Sequence, residues 1–160
     1  MILEALKLVH VVTGAIAFGA GVHAVRCILT VKPLRWWPIL FLECALLASA
    51  TGLLFPFHHL LPTHWAAMSV VYVSGAAVLA LRKYHLGDIW SLLFALSIVL
   101  ALYLCIVVAI AHVFDMLIPT EPKSFFVIAE FTVILLFAVL GLFIARMYRN
   151  SPVDSTAVHR

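Results

Sequence analysis

Five apolar stretches follow one another along the chain, separated by short polar segments. They run over Ile2–Leu29, Trp37–Leu61, His64–Arg82, Ile89–Ile118 and Ser124–Tyr148. An α-helix rises about 1.5 Å per residue, so roughly 20 apolar residues cross a hydrocarbon core of about 30 Å. Each stretch meets or approaches that length. The pattern therefore predicts an all-α bundle of five transmembrane helices over residues 1–149, followed by a polar tail, Asn150–Arg160, that frays. The separators carry the expected helix-breaking chemistry. Pro33 and Pro38 bracket the first connection, and Leu61-Pro62-Thr63 forms the second, with Thr63 as the expected N-cap. Gly87-Asp88 and Pro119-Thr120-Glu121-Pro122 supply the third and fourth.

Composition agrees with this reading. Hydrophobic residues make up 66% of the 160 and charged residues 11%, with a mean hydropathy of +1.19. A water-soluble domain carries about 25% charged residues, and this chain has too few polar side chains to coat a globule. Lipid must serve as solvent for most of its surface. The length allows one domain. The first apolar run starts almost at Met1, contains Lys7 and His10, continues for more than one membrane thickness, and is read as a retained helix.

The placement of charge sets an expected orientation. Arg26, Lys32 and Arg35 fall at the first connection, Arg82 and Lys83 at the third, and Arg146 and Arg149 at the end of the fifth helix. The second connection has no Lys or Arg, and the fourth has only Lys123 beside Asp115 and Glu121. By the excess of positive charge on cytoplasmic loops, the odd connections and the C-terminus are cytoplasmic and the N-terminus is outside. Lys7 opposes this and is offset by Glu4. Trp36, Trp37, Trp65 and Trp90 fall at the expected membrane faces. The net charge of +3 lies at helix ends, so it reads as a topology signal and excludes a nucleic-acid surface.

Eight histidines are many for so apolar a chain. With the N-terminus outside, His10 and His112 reach similar depths below the outer face from opposite directions. His58, His59 and His64 gather at the outer end of the second and third helices, and Glu130 enters from the fifth. His10, Gly14, Ala17, Gly21 and Ala24 share one helical seam, and Ala101, Cys105, Val108, His112 and Asp115 share another. Small residues on such a seam admit a neighbouring helix or a flat ligand. Asp115 is placed to orient the His112 ring.

Three chemistries suit this layer. Two imidazoles on facing helices, His10 and His112 with His64 near them, clamp a haem b iron axially. A cluster drawn from His10, His58, His59, His64 and His112 binds copper or zinc. Histidines with Asp115, Glu130 and the inner Glu43 form a proton path serving a quinone. The bland alternative is that these are wet histidines at membrane edges, which suits His58, His59, His64 and His85 better than His10 and His112. His23 and His85 form a thinner inner layer. Thirteen residues separate His10 from His23, which turns the helix by about 220° and points the two rings to different faces. Glu43 sits alone at depth, to be paired by Arg35 or His85 or protonated against Ser49 or Thr51. Cys27, Cys44 and Cys105 form no Cys-x-x-Cys pair and read as small hydrophobes. No phosphate loop, nucleophile elbow or His-Glu-x-x-His helix occurs.

The stretch Thr51-Gly-Leu-Leu-Phe-Pro-Phe-His58, followed by Pro62-Thr-His64, and the opening His10-Val-Val-Thr-Gly14 resemble a pattern in small bacterial integral membrane proteins of unassigned activity. That resemblance implies a multi-pass protein of the bacterial inner membrane. More broadly, histidines near helix ends are similar to those of cytochrome b561-like bundles, which implies bis-histidine haem with His10 and His112 as the candidate ligands. The expectations are then a haem b redox protein, a non-catalytic accessory subunit packing against a partner membrane subunit or a second copy, or a metal or proton transporter. Whether the chain is an enzyme is left open by its motifs.

Overall fold

The computed structural model describes residues 2–30, 36–54, 62–83, 88–117 and 123–150. Among these the chain is all-helical, with α1 (Ile2–Leu29), α2 (Trp37–Leu53), α3 (Pro62–Arg82), α4 (Asp88–Leu117) and α5 (Lys123–Asn150). Four of them, α1, α3, α4 and α5, are long and apolar enough to cross a membrane. The tail beyond Asn150 lies outside the described residues.

Local chemistry accounts for the helix ends. Pro38 occupies the first turn of α2 and Pro62 opens α3, where a missing N–H costs nothing and the fixed φ favours the helix. Thr63, expected as the N-cap of α3, is instead inside its first turn. The larger departure is at α2. The apolar run continues to Leu61, but the helix closes at Leu53 after 17 residues, which is about 26 Å. The Leu54 N–H tightens the last turn by donating to the Thr51 carbonyl at 3.2 Å. Gly52 lowers helix propensity there, and Pro56 disfavours helical backbone at Phe55. The remaining expected residues, 55–61, lie outside the described set.

The packing is built on small residues. α1 lies mainly on α2, α3 on α4, and α1 also meets α4. Ala17, Ala20 and Ala24 of α1, Phe41, Leu42 and Ala45 of α2, and Phe94, Ile98, Ala101 and Leu102 of α4 are all buried in one core. Gly21 is the tightest point. A Cβ built there would lie 2.8 Å from Leu102 Cδ1 and 2.9 Å from the Phe41 ring, so the helices meet only because Gly21 has no side chain. Ring contacts fix the directions: His23 packs on Trp37 at 4.5 Å, and Tyr103 packs on Phe137 and Phe114 on Phe126 at 5.7 and 5.6 Å. Together with a contact of His10 to α2 described below, they make α1 antiparallel to α2 and α4 antiparallel to α5.

The outer surface is apolar. Leu8, Val12 and Phe18 of α1, Tyr72 and Leu79 of α3, and Phe131, Leu135 and Leu142 of α5 are exposed. A face this apolar is stable against lipid and not against water. α5 is the extreme, with 6% of its apolar window buried against 33% for α4.

Candidate functional site

His10 sits two turns into α1, and its seam carries the ring into the contact between α1, α2 and α4. The ring is partly buried. Its Nδ1 lies 2.9 Å from the Ala48 carbonyl and 3.2 Å from Thr51 Oγ1, both in the last turns of α2. A carbonyl oxygen only accepts, so Nδ1 carries the proton and donates. The Thr51 hydroxyl directs its own proton to the Leu47 or Ala48 carbonyl, each at 2.9 Å, and offers a lone pair to the imidazole.

His112 approaches from α4. Its Nδ1 donates to the Val108 carbonyl of its own helix at 3.0 Å. The same logic therefore applies to both rings: the proton on Nδ1 is the one donated to a carbonyl. The centroids of the two rings are 6.2 Å apart, with an interplanar angle of 38°. Metal-binding histidines commonly share this arrangement, one nitrogen donating to a carbonyl and the other turned to the metal.

The separation itself is informative. An imidazole nitrogen binds a first-row metal at about 2 Å, and the ring centroid lies roughly 1.2 Å behind it, so two rings trans on one ion place their centroids about 6 Å apart. The observed spacing fits that span. His10 and His112 are thus two imidazoles from different helices brought to ring-contact distance. Gly14, one turn along the α1 seam from His10, is not packed by another helix: a Cβ there would meet nothing within 4 Å. This departs from the expected continuous seam, whose helix contact is made at Gly21.

Several of the other expected site residues fall outside the described set. His64 is buried near the start of α3, with 7% exposure. Among the described residues no group of three or more His, Cys, Asp or Glu side chains is placed to hold a metal ion. His58, His59 and His85 lie outside those residues, as do Arg35 and the side chain of Asp115. The group engaging His112 Nδ1 is the Val108 carbonyl. Glu43 is exposed on the outer face of α2, and Glu130 is half-buried on α5. Cys27 is buried and Cys44 and Cys105 half-buried, all as free thiols. A separate apolar groove of about 390 Å³ runs between α4 and α5, lined by residues that include Tyr103, Phe137 and Gly141.

Two residues of this site were not singled out from sequence for it, Ala48 and Gly52, and Thr51 was assigned to a different partner. The small, weakly polar run Ala48-Ser-Ala-Thr-Gly52 at the depth of His10 is the signal that points to them. Compared with models of known families, with curated proteins and with solved structures, the chain matches none.

Proposed function

We propose that this chain is a multi-pass redox protein of the bacterial inner membrane that holds haem b between His10 and His112. One observation carries the reading: two rings from different helices, both with Nδ1 engaged by a carbonyl, stand 6.2 Å apart. Haem b, when bound, supplies one-electron chemistry at its iron. His10 and His112 would be the residues that hold it, His10 partly buried against α2 and His112 exposed on α4. The unfilled surface at Gly14 leaves room for a flat ligand beside the pair. In this reading α2 also crosses the membrane, the N-terminus is outside, and the site lies in the outer half of the bilayer. The antiparallel contacts of α1 with α2 and of α4 with α5 support α2 as a crossing helix, and the Lys and Arg residues of the odd connections support the orientation.

The absorption spectrum of the purified full-length protein, as isolated and after haem addition, is the test. A Soret band that is lost or shifted in both His10→Ala and His112→Ala supports the site, with His159→Ala unchanged as control. No Soret band under either condition, or unchanged spectra in both alanine variants, overturns it. Copper or zinc bound stoichiometrically in place of haem moves the assignment to metal binding.

A second reading is favoured by α5. With most of its large side chains facing outward, α5 suits an accessory subunit that docks against a partner membrane protein, and co-purification of a stoichiometric partner would favour it.

A further inference from the structure

His10 is held by α2 as much as by α1. The chain contains several threonines whose hydroxyls donate back to the carbonyl four residues earlier: Thr13 to Val9 at 2.7 Å, Thr30 to Arg26 at 2.8 Å, and Thr132 to Ile128 at 2.8 Å. That habit merely satisfies a hydroxyl in an apolar helix. Thr51 does the same to Leu47, but it also stands 3.2 Å from Nδ1 of a ring on another helix. The next residue, Gly52, lies under that ring. A Cβ there would come 3.2 Å from His10 Cε1 and 3.6 Å from Nδ1, closer than a side chain comfortably packs. The last turns of α2 therefore contact His10 at three points: the Ala48 carbonyl, the Thr51 hydroxyl and the bare Gly52 backbone.

We propose that this turn of α2 is a positioning cradle for His10, with Thr51 setting the strength of His10 as a ligand and Gly52 setting its ring plane. The inference rests on the reading of the histidine pair as a cofactor site and adds residues that touch no cofactor themselves. Two acceptors on one Nδ1–H pull electron density into the ring and raise the basicity of Nε2. A more basic donor favours ferric over ferrous iron. Thr51→Val keeps the volume and removes one acceptor, while the Ala48 carbonyl remains. Loss of such an outer hydrogen bond typically weakens metal-site affinity about tenfold or more.

The full chain in nanodiscs provides two independent readouts. Without haem, ¹⁵N spectra of histidine-labelled protein should show His10 with a protonated Nδ1, its resonance shifted in Thr51→Val and restored in Thr51→Ser. With haem, Thr51→Val should bind ferric haem about tenfold more weakly and Thr51→Ser within about twofold of the parent. A ferric loss about threefold larger than the ferrous one raises the midpoint potential by about 28 mV, at 59 mV per tenfold. Gly52→Ala, which tilts the ring without touching the hydroxyl, should alter the low-spin spectral signature and serves if Thr51→Val does not fold. If haem binds to the parent, Thr51→Val and Gly52→Ala with equal affinity, potential and spectrum, the cradle is wrong and the haem reading stands. If the His10 resonance responds but no variant or parent binds haem, the haem reading falls and the cradle stands.

Discussion

At the scale of single residues, the chain contrasts two glycines on one seam. Gly21 is wedged between Leu102 and Phe41, whereas Gly14 faces open space. Gly21→Ala should therefore cost about 1–3 kcal/mol by overpacking, and Gly21→Leu should prevent folding. Gly14→Leu should leave the fold intact while perturbing whatever ligand lies beside His10. Thermal unfolding in detergent, read beside ligand binding, checks the pair; equal destabilisation at the two positions would contradict the packing. Ser74 offers the opposite case. It is fully buried on α3, and among the described residues its hydroxyl finds no partner. Replacing it with alanine removes an unsatisfied polar group, so Ser74→Ala should be neutral or stabilising by up to about 1–2 kcal/mol. A clear loss of stability would show that the hydroxyl has a partner.

At the scale of elements, α2 and α5 depart from the rest in different ways. α2 closes after Leu53 with Gly52 in its last turn, and the same closing turn carries the groups that hold His10. α5 is long, about 42 Å for its 28 residues, and is covered mainly on the side facing α4. Its apolar outer surface needs lipid or a partner. Leu135→Arg, on an exposed position near its middle, should cost roughly 2.5–3.5 kcal/mol of insertion free energy. An insertion assay would show a drop in membrane-integrated protein, whereas the charge-conserving Arg149→Lys should have no effect. Full insertion of the Leu135→Arg variant would argue that this face is not in the hydrocarbon core.

At the scale of the whole molecule, the proposed orientation rests on charge. The basic residues cluster at Arg26–Arg35, Arg82–Lys83 and Arg146–Arg149, which would fall at one end if all five helices cross the membrane, as proposed. A reporter that is active only in the cytoplasm, fused after Arg160, should be active, and one active only outside should not. The reverse result would invert the orientation and place the His10–His112 pair in the cytoplasmic half. The pair is where three helices meet: α1 supplies one ring, α4 the other, and α2 the cradle. Binding at that junction should tie the α1–α2 hairpin to α4, so ligand addition should raise the unfolding temperature of the parent but not of His10→Ala.

What the sequence determined by itself was the class and the scaffold. Apolar runs of membrane length, with Pro, Gly and charge between them, leave few alternatives to a helical membrane bundle, because unpaired backbone cannot remain in hydrocarbon. The observed bounds of α1 coincide with those read from the run, Ile2–Leu29, and α3, α4 and α5 differ by at most two residues at either end. The similar depth of His10 and His112 was also legible, since depth follows from counting residues along a regular helix. Direction around the helix axis was legible in part: the seam correctly grouped Ala17, Gly21 and Ala24, but hydrophobicity barely varies around these helices, so periodicity could not say where the seam stops being covered. The end of α2 lay in the interior of an apolar run, where composition is silent and backbone geometry decides. Partners were the least legible. Thr51 bonds its own helix, and only the tertiary approach of α1 to α2 brought it to the ring of His10 as well. The hydrogen bond that sets a ring's tautomer comes from backbone atoms, here the Ala48 and Val108 carbonyls, and every residue in a sequence has one of those.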